Sequence, residues 1–128
     1  MKTYDLQTII FLHNEIINRY GGLSGIKNIN SLDACLNSGF AGFGDFELYQ
    51  TTLDKVAKIT CSIIKNHPFN DGNKRTGVAT MEFLLNLNNK ELFISDDELY
   101  DITMDISTGK ADEQKLSLIL KQHTKHFL

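Results

Sequence analysis

The residue types best suited to chemistry stand together in one short run, His67-Pro68-Phe69-Asn70-Asp71-Gly72-Asn73-Lys74-Arg75-Thr76, which holds the only proline of the chain. An imidazole and a carboxylate are followed by Gly-Asn-Lys-Arg-Thr and then by a strongly apolar helical stretch from Val78 to Leu87. A loop that feeds a helix start aims free backbone N–H groups and the positive end of the helix dipole at whatever sits above it. An anion is the natural occupant. Gly72 removes a side chain where the backbone must approach that anion, and Asn73 tolerates a tight or left-handed conformation while offering an amide donor. Lys74 and Arg75 add full positive charge, and the Arg75 guanidinium can grip phosphate oxygens in a bidentate fork.

His67 and Asp71 have the spacing of two transition-metal ligands on one helical face, but Pro68 between them breaks the helix that such a site needs. A hard cation suits Asp71 better, since magnesium takes one or two carboxylates together with substrate phosphates. A turn or helix-capping aspartate is the plain alternative. Lys-Arg-Thr resembles the tail of a P-loop, yet Gly-x-x-x-x-Gly-Lys and a preceding strand are missing. No serine or cysteine is tied by motif to His67 for nucleophilic catalysis. His67 is left as a general base that deprotonates an incoming hydroxyl beside a bound triphosphate, a role worth about 100- to 10,000-fold.

The elements that must carry this loop are helical. The chain of 128 residues fits one domain, 1-128, and is large enough to bury roughly two thirds of its unfolded surface. Aliphatic residues dominate, tryptophan is absent and proline occurs once, which favours an all-α bundle. A helix is predicted from about Asp5 to Tyr20, stopped by Gly21-Gly22, with His13 on its apolar stripe. A ligand or catalytic base is one reading of His13, and a core histidine bonded to backbone is the one favoured by the lack of an acidic or cysteine partner nearby. A turn over Leu23 to Asn28 precedes a short helix capped by Asn30 or Ser31 and closed near Gly39. The run GFAGFGD, Gly39 to Asp45, reads as a connecting loop or as a flap of two short extended arms that could hold a peptide by strand addition.

Leu53 to Asn66 marks a long helix whose last turn aims His67, with Phe69 plugging the loop into the core from below. Val78 to Leu87 leaves little polar face, the pattern of a helix surrounded by others. Leu92-Phe93-Ile94 is extended, Ser95 opens a capped helix ended by Gly109, and a last helix carries Leu116 to His123. His123 and His126 lack a third ligand for a metal. Cys35 and Cys61 read as buried free thiols of a reducing compartment.

The net charge of -3 and pI near 5.7 argue against broad affinity for nucleic acid or an anionic membrane. The apolar run at the start is too short for a signal-peptide core, and no stretch reaches the ~20 apolar residues of a membrane helix. A cytoplasmic location is expected, with no membrane and no direct nucleic-acid partner.

HPFNDGNKRT resembles the signature of the Fic/Doc superfamily, His-x-Phe-x-(Asp/Glu)-(Gly/Ala)-Asn-(Gly/Lys)-Arg. Chain length, the RYGG segment at Arg19 to Gly22, the following Gly-Ile and the TGK at Thr108 resemble the compact Doc toxins, so the likeness spans nearly the whole chain. It implies an all-α, single-domain bundle of about six helices with a short flap. By this resemblance His67 would be the catalytic base, Phe69 the structural anchor and Asp71 the magnesium ligand, while Gly72, Asn73, Lys74 and Arg75 would hold the phosphates. ATP would be co-substrate and Mg2+ the cofactor.

Fic adenylyltransferases usually carry glycine where this chain has Lys74, and a second arginine where it has Val78. Doc proteins have the lysine and are associated with an inverted nucleotide that presents the γ-phosphate. The resemblance therefore implies a protein kinase acting on a Ser/Thr hydroxyl of a translation factor, elongation factor Tu. No Ser/Thr-x-x-x-Glu inhibitory helix is found, so restraint would come from an antitoxin in trans. Pro68 and Gly72 are closer to Fic, which keeps AMP transfer open as an alternative. A non-catalytic partner- or nucleotide-binding module is the alternative of a different class.

Overall fold

The computed structural model describes residues 1–127. Its centre is a helix that the sequence pattern does not single out. Helix α3 (Thr52–Asn66) is buried almost continuously from Lys55 to Ile64, and α4 (Asn73–Leu87), α6 (Glu113–His123), α2 (Ile29–Asn37) and α5 (Asp96–Ser107) pack around it. The polar residues of α3 can be buried because each has a partner. Thr60 Oγ1 donates to Val56 O at 2.8 Å, Ser62 shares a hydrogen bond with Ser38 at 3.0 Å, and Lys55 pairs with Glu47 at 3.0 Å. A buried polar group is tolerated when satisfied.

Helix α4 corrects two expectations. It begins at Asn73, because Gly72 caps it in the left-handed conformation (φ 73°) and accepts the first helical bond, from Thr76 N, at 2.9 Å. It is also not surrounded: Lys74, Arg75, Glu82, Phe83 and Asn86 are exposed. The buried stripe runs through Thr76, Gly77, Thr80, Met81, Leu84 and Leu85. Gly77 lies at the crossing with α3, where a Cβ would come within 2.7 Å of Ile64 Cγ1. Small residues there let the two helices approach closely.

Helix α1 (Leu6–Tyr20) starts at an Asp5 cap and stops at Gly21 (φ 84°), within a residue of the expected span. α2 is capped by Asn28, whose side chain accepts from Ser31 N, two residues ahead of the expected cap, and it ends in a 3-10 turn over Ser38–Phe40. The glycine-rich run forms two short antiparallel arms, β1 (Gly42–Phe43) and β2 (Phe46–Glu47). They are tethered to the first half of α3 by Lys55, which bonds Tyr49 O and Glu47 and lies over the Phe40 ring. A further antiparallel pair was not expected: β3 (Lys90–Leu92) with β4 (Thr124–His126), which brings the end of the chain against the α4–α5 connection.

Among the described residues, the fold is thus all-α with six α-helices and two small hairpin-sized sheets. Cys35 and Cys61 are buried free thiols, and burial pushes Cys61 up to about 12. No helix of the described residues is long and apolar enough to cross a membrane. His123 is used locally, with Nδ1 donating to Ile119 O at 2.9 Å and Nε2 lying 3.3 Å from Glu98, while His126 sits in β4.

Asp54 ties α3 to α6. It forms a capping box with Thr51, accepts from Ser117 Oγ, and lies 3.3 Å from Lys121 Nζ. The Ser117 hydroxyl, followed by the Thr51 and Lys121 contacts, pulls its carboxyl from 3.8 down to about 2. A depressed carboxylate contributes stability that is fully present above the unfolded value and is lost as pH falls from about 3.9 toward the folded value. Asp54→Asn should therefore cost about 1 kcal/mol at pH 7, discounted for solvent screening. Denaturation midpoints of parent and variant should converge between pH 4 and pH 2. An equal gap at both pH values would remove the carboxylate from this account.

Candidate functional site

The loop between α3 and α4 is held from two sides. His67, the C-cap of α3, adopts a left-handed conformation (φ 49°, ψ 58°) that is uncommon for a residue with a Cβ. Pro68 follows and is buried, and its carbonyl accepts from Lys27 N at 2.8 Å and Asn28 N at 3.2 Å. These bonds stitch the loop to the segment before α2. The His67 ring remains exposed at the rim of a cavity.

Phe69 is 1% exposed and points into the core, as its reading as the plug of the loop required. The His13 ring stacks flat on it, 3.8 Å between centroids at an interplanar angle of 6°. His13 is itself 1% exposed, and its Nε2 lies 2.8 Å from Asp71 O. A carbonyl only accepts, so Nε2 carries the proton. His13 is thus the backbone-bonded core histidine that its apolar stripe suggested, but the backbone it bonds is the functional loop.

Asp71 projects its carboxylate to solvent while both oxygens accept amides: Oδ2 from Leu23 N at 3.1 Å and Oδ1 from Gly72 N at 2.9 Å. The Leu23 amide first, then that of Gly72, holds the carboxyl below the usual carboxylate range. Gly22 is required here, since a Cβ on it would sit 2.7 Å from Asp71 Oδ2 and its φ is 116°. At Gly72 a Cβ would meet Ile17 Cδ1 at 3.2 Å. The glycine is therefore constrained by α1 beneath it and by its positive φ, a requirement that the sequence did not show.

The side chain of Asn73 also departs from expectation. It is buried, accepting from Phe69 N at 3.0 Å and donating to Phe69 O at 3.1 Å. The side-chain amide braces the loop, and what Asn73 has to offer an anion is its backbone N–H. With no side-chain cap on α4, the amides of Asn73, Lys74 and Arg75 stay free at the positive end of the helix dipole. The Arg75 guanidinium lies over the Tyr20 ring, 4.3 Å from its centroid, a cation–π contact that uses none of its N–H donors.

These groups open onto a cavity of about 1030 Å³ walled by α1, the loop, α4 and α5. Its lining includes His67, Asp71, Gly72, Lys74 and Arg75, the apolar or aromatic Val78, Leu99, Tyr100 and Met104, and the carboxylates of Glu15, Glu82 and Asp96. No residue of the hairpin from Gly42 to Glu47 lines it. Among the described residues no three His, Cys, Asp or Glu side chains converge as a metal cage. Asp71 fits magnesium in a different way: an ionised, exposed carboxylate whose oxygens each keep a free lone pair can share a hard cation with phosphates.

His13, Tyr20 and the Leu23 amide were absent from the sequence-derived site. The RYGG segment was the only signal toward the last two.

A model of the Fic/DOC family matches residues 3–85. The chain is 28% identical over 122 residues, 95% of both chains, to a protein of Escherichia phage P1 called "Protein kinase doc". It is also 28% identical over 95 residues, 73% of both chains, to "Toxin Doc" of Mycolicibacterium smegmatis.

Replacing His13 by Phe keeps the ring stack and deletes the donor to Asp71. A loss of about 1–2 kcal/mol is expected in urea denaturation, with faster hydrogen exchange at the Gly72 and Phe69 amides. An unchanged midpoint and unchanged exchange would show that the stack alone holds the loop.

Proposed function

The chain belongs to the Fic/DOC family, and from that membership we propose that it is a nucleotide-dependent protein transferase of the Doc type that phosphorylates a target hydroxyl. The observation that carries this reading is the cavity at the uncapped start of α4, where Lys74 and Arg75 stand with the free amides, and His67 and Asp71 are part of the same lining.

ATP enters with its phosphates at the free amides of Asn73, Lys74 and Arg75, where the helix dipole and two fixed charges meet the negative oxygens. Arg75 supplies the bidentate contact and Lys74 a point charge. Asp71 and the phosphate oxygens would hold magnesium, which when bound neutralises phosphate charge. His67 takes the proton of a serine or threonine hydroxyl on the protein target. The freed oxygen attacks the γ-phosphorus, a new P–O bond forms in line with the breaking bond to the β-phosphate oxygen, and ADP leaves. The chain's own contribution is positioning and charge, because the Asp71 carboxylate, the Asn73 side chain and the Pro68 carbonyl are each fixed by backbone bonds.

Lys74 favours phosphate over AMP transfer, since its side chain occupies space that glycine would leave free. The name of the phage relative favours a kinase and that of the Mycolicibacterium relative a toxin role, and with the family resemblance they favour a translation-factor target, elongation factor Tu, restraint by an antitoxin in trans, and a cytoplasmic setting.

Incubation of the chain with elongation factor Tu and ATP labelled at the α or the γ phosphate tests this. Label is expected from the γ position only. His67→Ala should reduce transfer by about 100- to 10,000-fold. Label from the α position would replace phosphorylation with AMP transfer, and growth inhibition that survives His67→Ala but not a charge change at Arg75 would point to binding without chemistry.

A further inference from the structure

The cavity has a cation on its α1 wall that the signature loop does not account for. Leu12, Glu15, Ile16, Arg19 and Tyr20 face it, at the spacing of one helical stripe. Arg19 is exposed, lies in the last turn of α1 next to the tyrosine under Arg75, and shares the cavity with Lys74 and Arg75. Among the described residues none of these three cations makes an ion pair within 4.0 Å. Glu15, one turn earlier on the same stripe, does not pair with Arg19 either.

The wall also carries the carboxylates of Glu15, Asp71, Glu82 and Asp96, yet none of them lies within ion-pair distance of the three cations, which leaves all three guanidinium and ammonium heads available to an anion placed among them. On the α4 wall the residues that reach the cavity after the cationic turn are Val78, Ala79 and Glu82, so no cation beyond Arg75 comes from that helix. Arg19 approaches from the facing helix. A polyphosphate seated on the α4 amides would then be contacted by guanidinium forks from both sides, with Tyr20 fixing the Arg75 plane.

We infer that Arg19 is a phosphate-contacting residue of the same nucleotide site, gripping the polyphosphate from α1 opposite Lys74 and Arg75. This rests on the nucleotide-transferase reading above and adds to it a second wall of the site. Because Arg19 is exposed and bonded to nothing, its removal should leave the fold intact, which a melting curve checks.

The test is calorimetric titration of parent, Arg19→Ala, Arg19→Lys and Arg75→Ala with ATP, inorganic tripolyphosphate and AMP, each with magnesium. Arg19→Ala should weaken ATP and tripolyphosphate by about tenfold or more, the scale of a lost charge-assisted hydrogen bond, with a smaller change for AMP. Arg19→Lys should recover part of the loss. Unaltered ATP binding by Arg19→Ala alongside a loss in Arg75→Ala would overturn this inference and leave the nucleotide site standing. An equal loss for AMP would also overturn it, because the contact would not be to the polyphosphate. A parent chain that binds neither ATP nor tripolyphosphate would remove the nucleotide reading and this inference together.

Discussion

The bond from His13 to the Asp71 carbonyl, reinforced by the stack of its ring on Phe69, is the constraint on which the site depends. Asp71 is otherwise a solvent-facing residue at the tip of a loop, and such residues are mobile by default. Fixing its peptide plane from below sets the left-handed turn at Gly72. That turn in turn sets the direction in which the first amides of α4 point. A buried aromatic pair is a rigid base for this, since neither ring can move without opening a cavity. The carboxylate is then trapped from the side by the Leu23 amide, and the glycine at position 22 is what lets the two segments come so close.

The two helices that meet in the loop do different jobs. α3 is sunk in the middle of the bundle and delivers His67 from an element that cannot shift without disturbing four neighbours. α4 keeps one face in solvent, which leaves its first turn open to an anion and still anchors it through Thr76, Gly77 and Thr80. Rigidity at the base together with openness at the rim is the combination expected of a site that must hold phosphate charge and admit a protein target. Several residues of the loop are spent on holding it in shape. The Asn73 side chain bonds Phe69, and the Pro68 carbonyl takes two amides, so that the remaining groups, His67, Asp71, Lys74 and Arg75, face outward.

Much of this was legible from residues alone because it is local. Helix starts at Asp5, Thr51 and Ser95 follow from side chains that bond an amide three residues on, and the stops at Gly21 and Gly109 follow from backbone freedom at single positions. The error over which helix is surrounded has a physical source. Counting polar residues treats Ser62 and Lys55 as solvent-facing, yet each is buried with a partner that lies on another element. The reverse holds for Phe83, an apolar residue left partly exposed and set edge-on to Tyr4. The strand Thr124–His126 was invisible because three residues carry no periodic signal and their pairing partner is distant in the chain.

By itself the sequence determined the chemistry available: an imidazole, a carboxylate, glycine and two cations at a helix start, together with the family signature they spell. Those are statements about residue types and short spacings, which no packing can alter. Tertiary structure alone decided that His13 carries the loop, that Asn73 turns inward, that Tyr20 supports Arg75, and that Arg19 shares the cavity with the loop's cations. All of these but the Asn73 turn, which is made within the loop, depend on α1 lying against the start of α4. The reason is distance along the chain: His13 and Asp71 are 58 residues apart, and only the burial of α3 between the other helices brings them within one hydrogen bond.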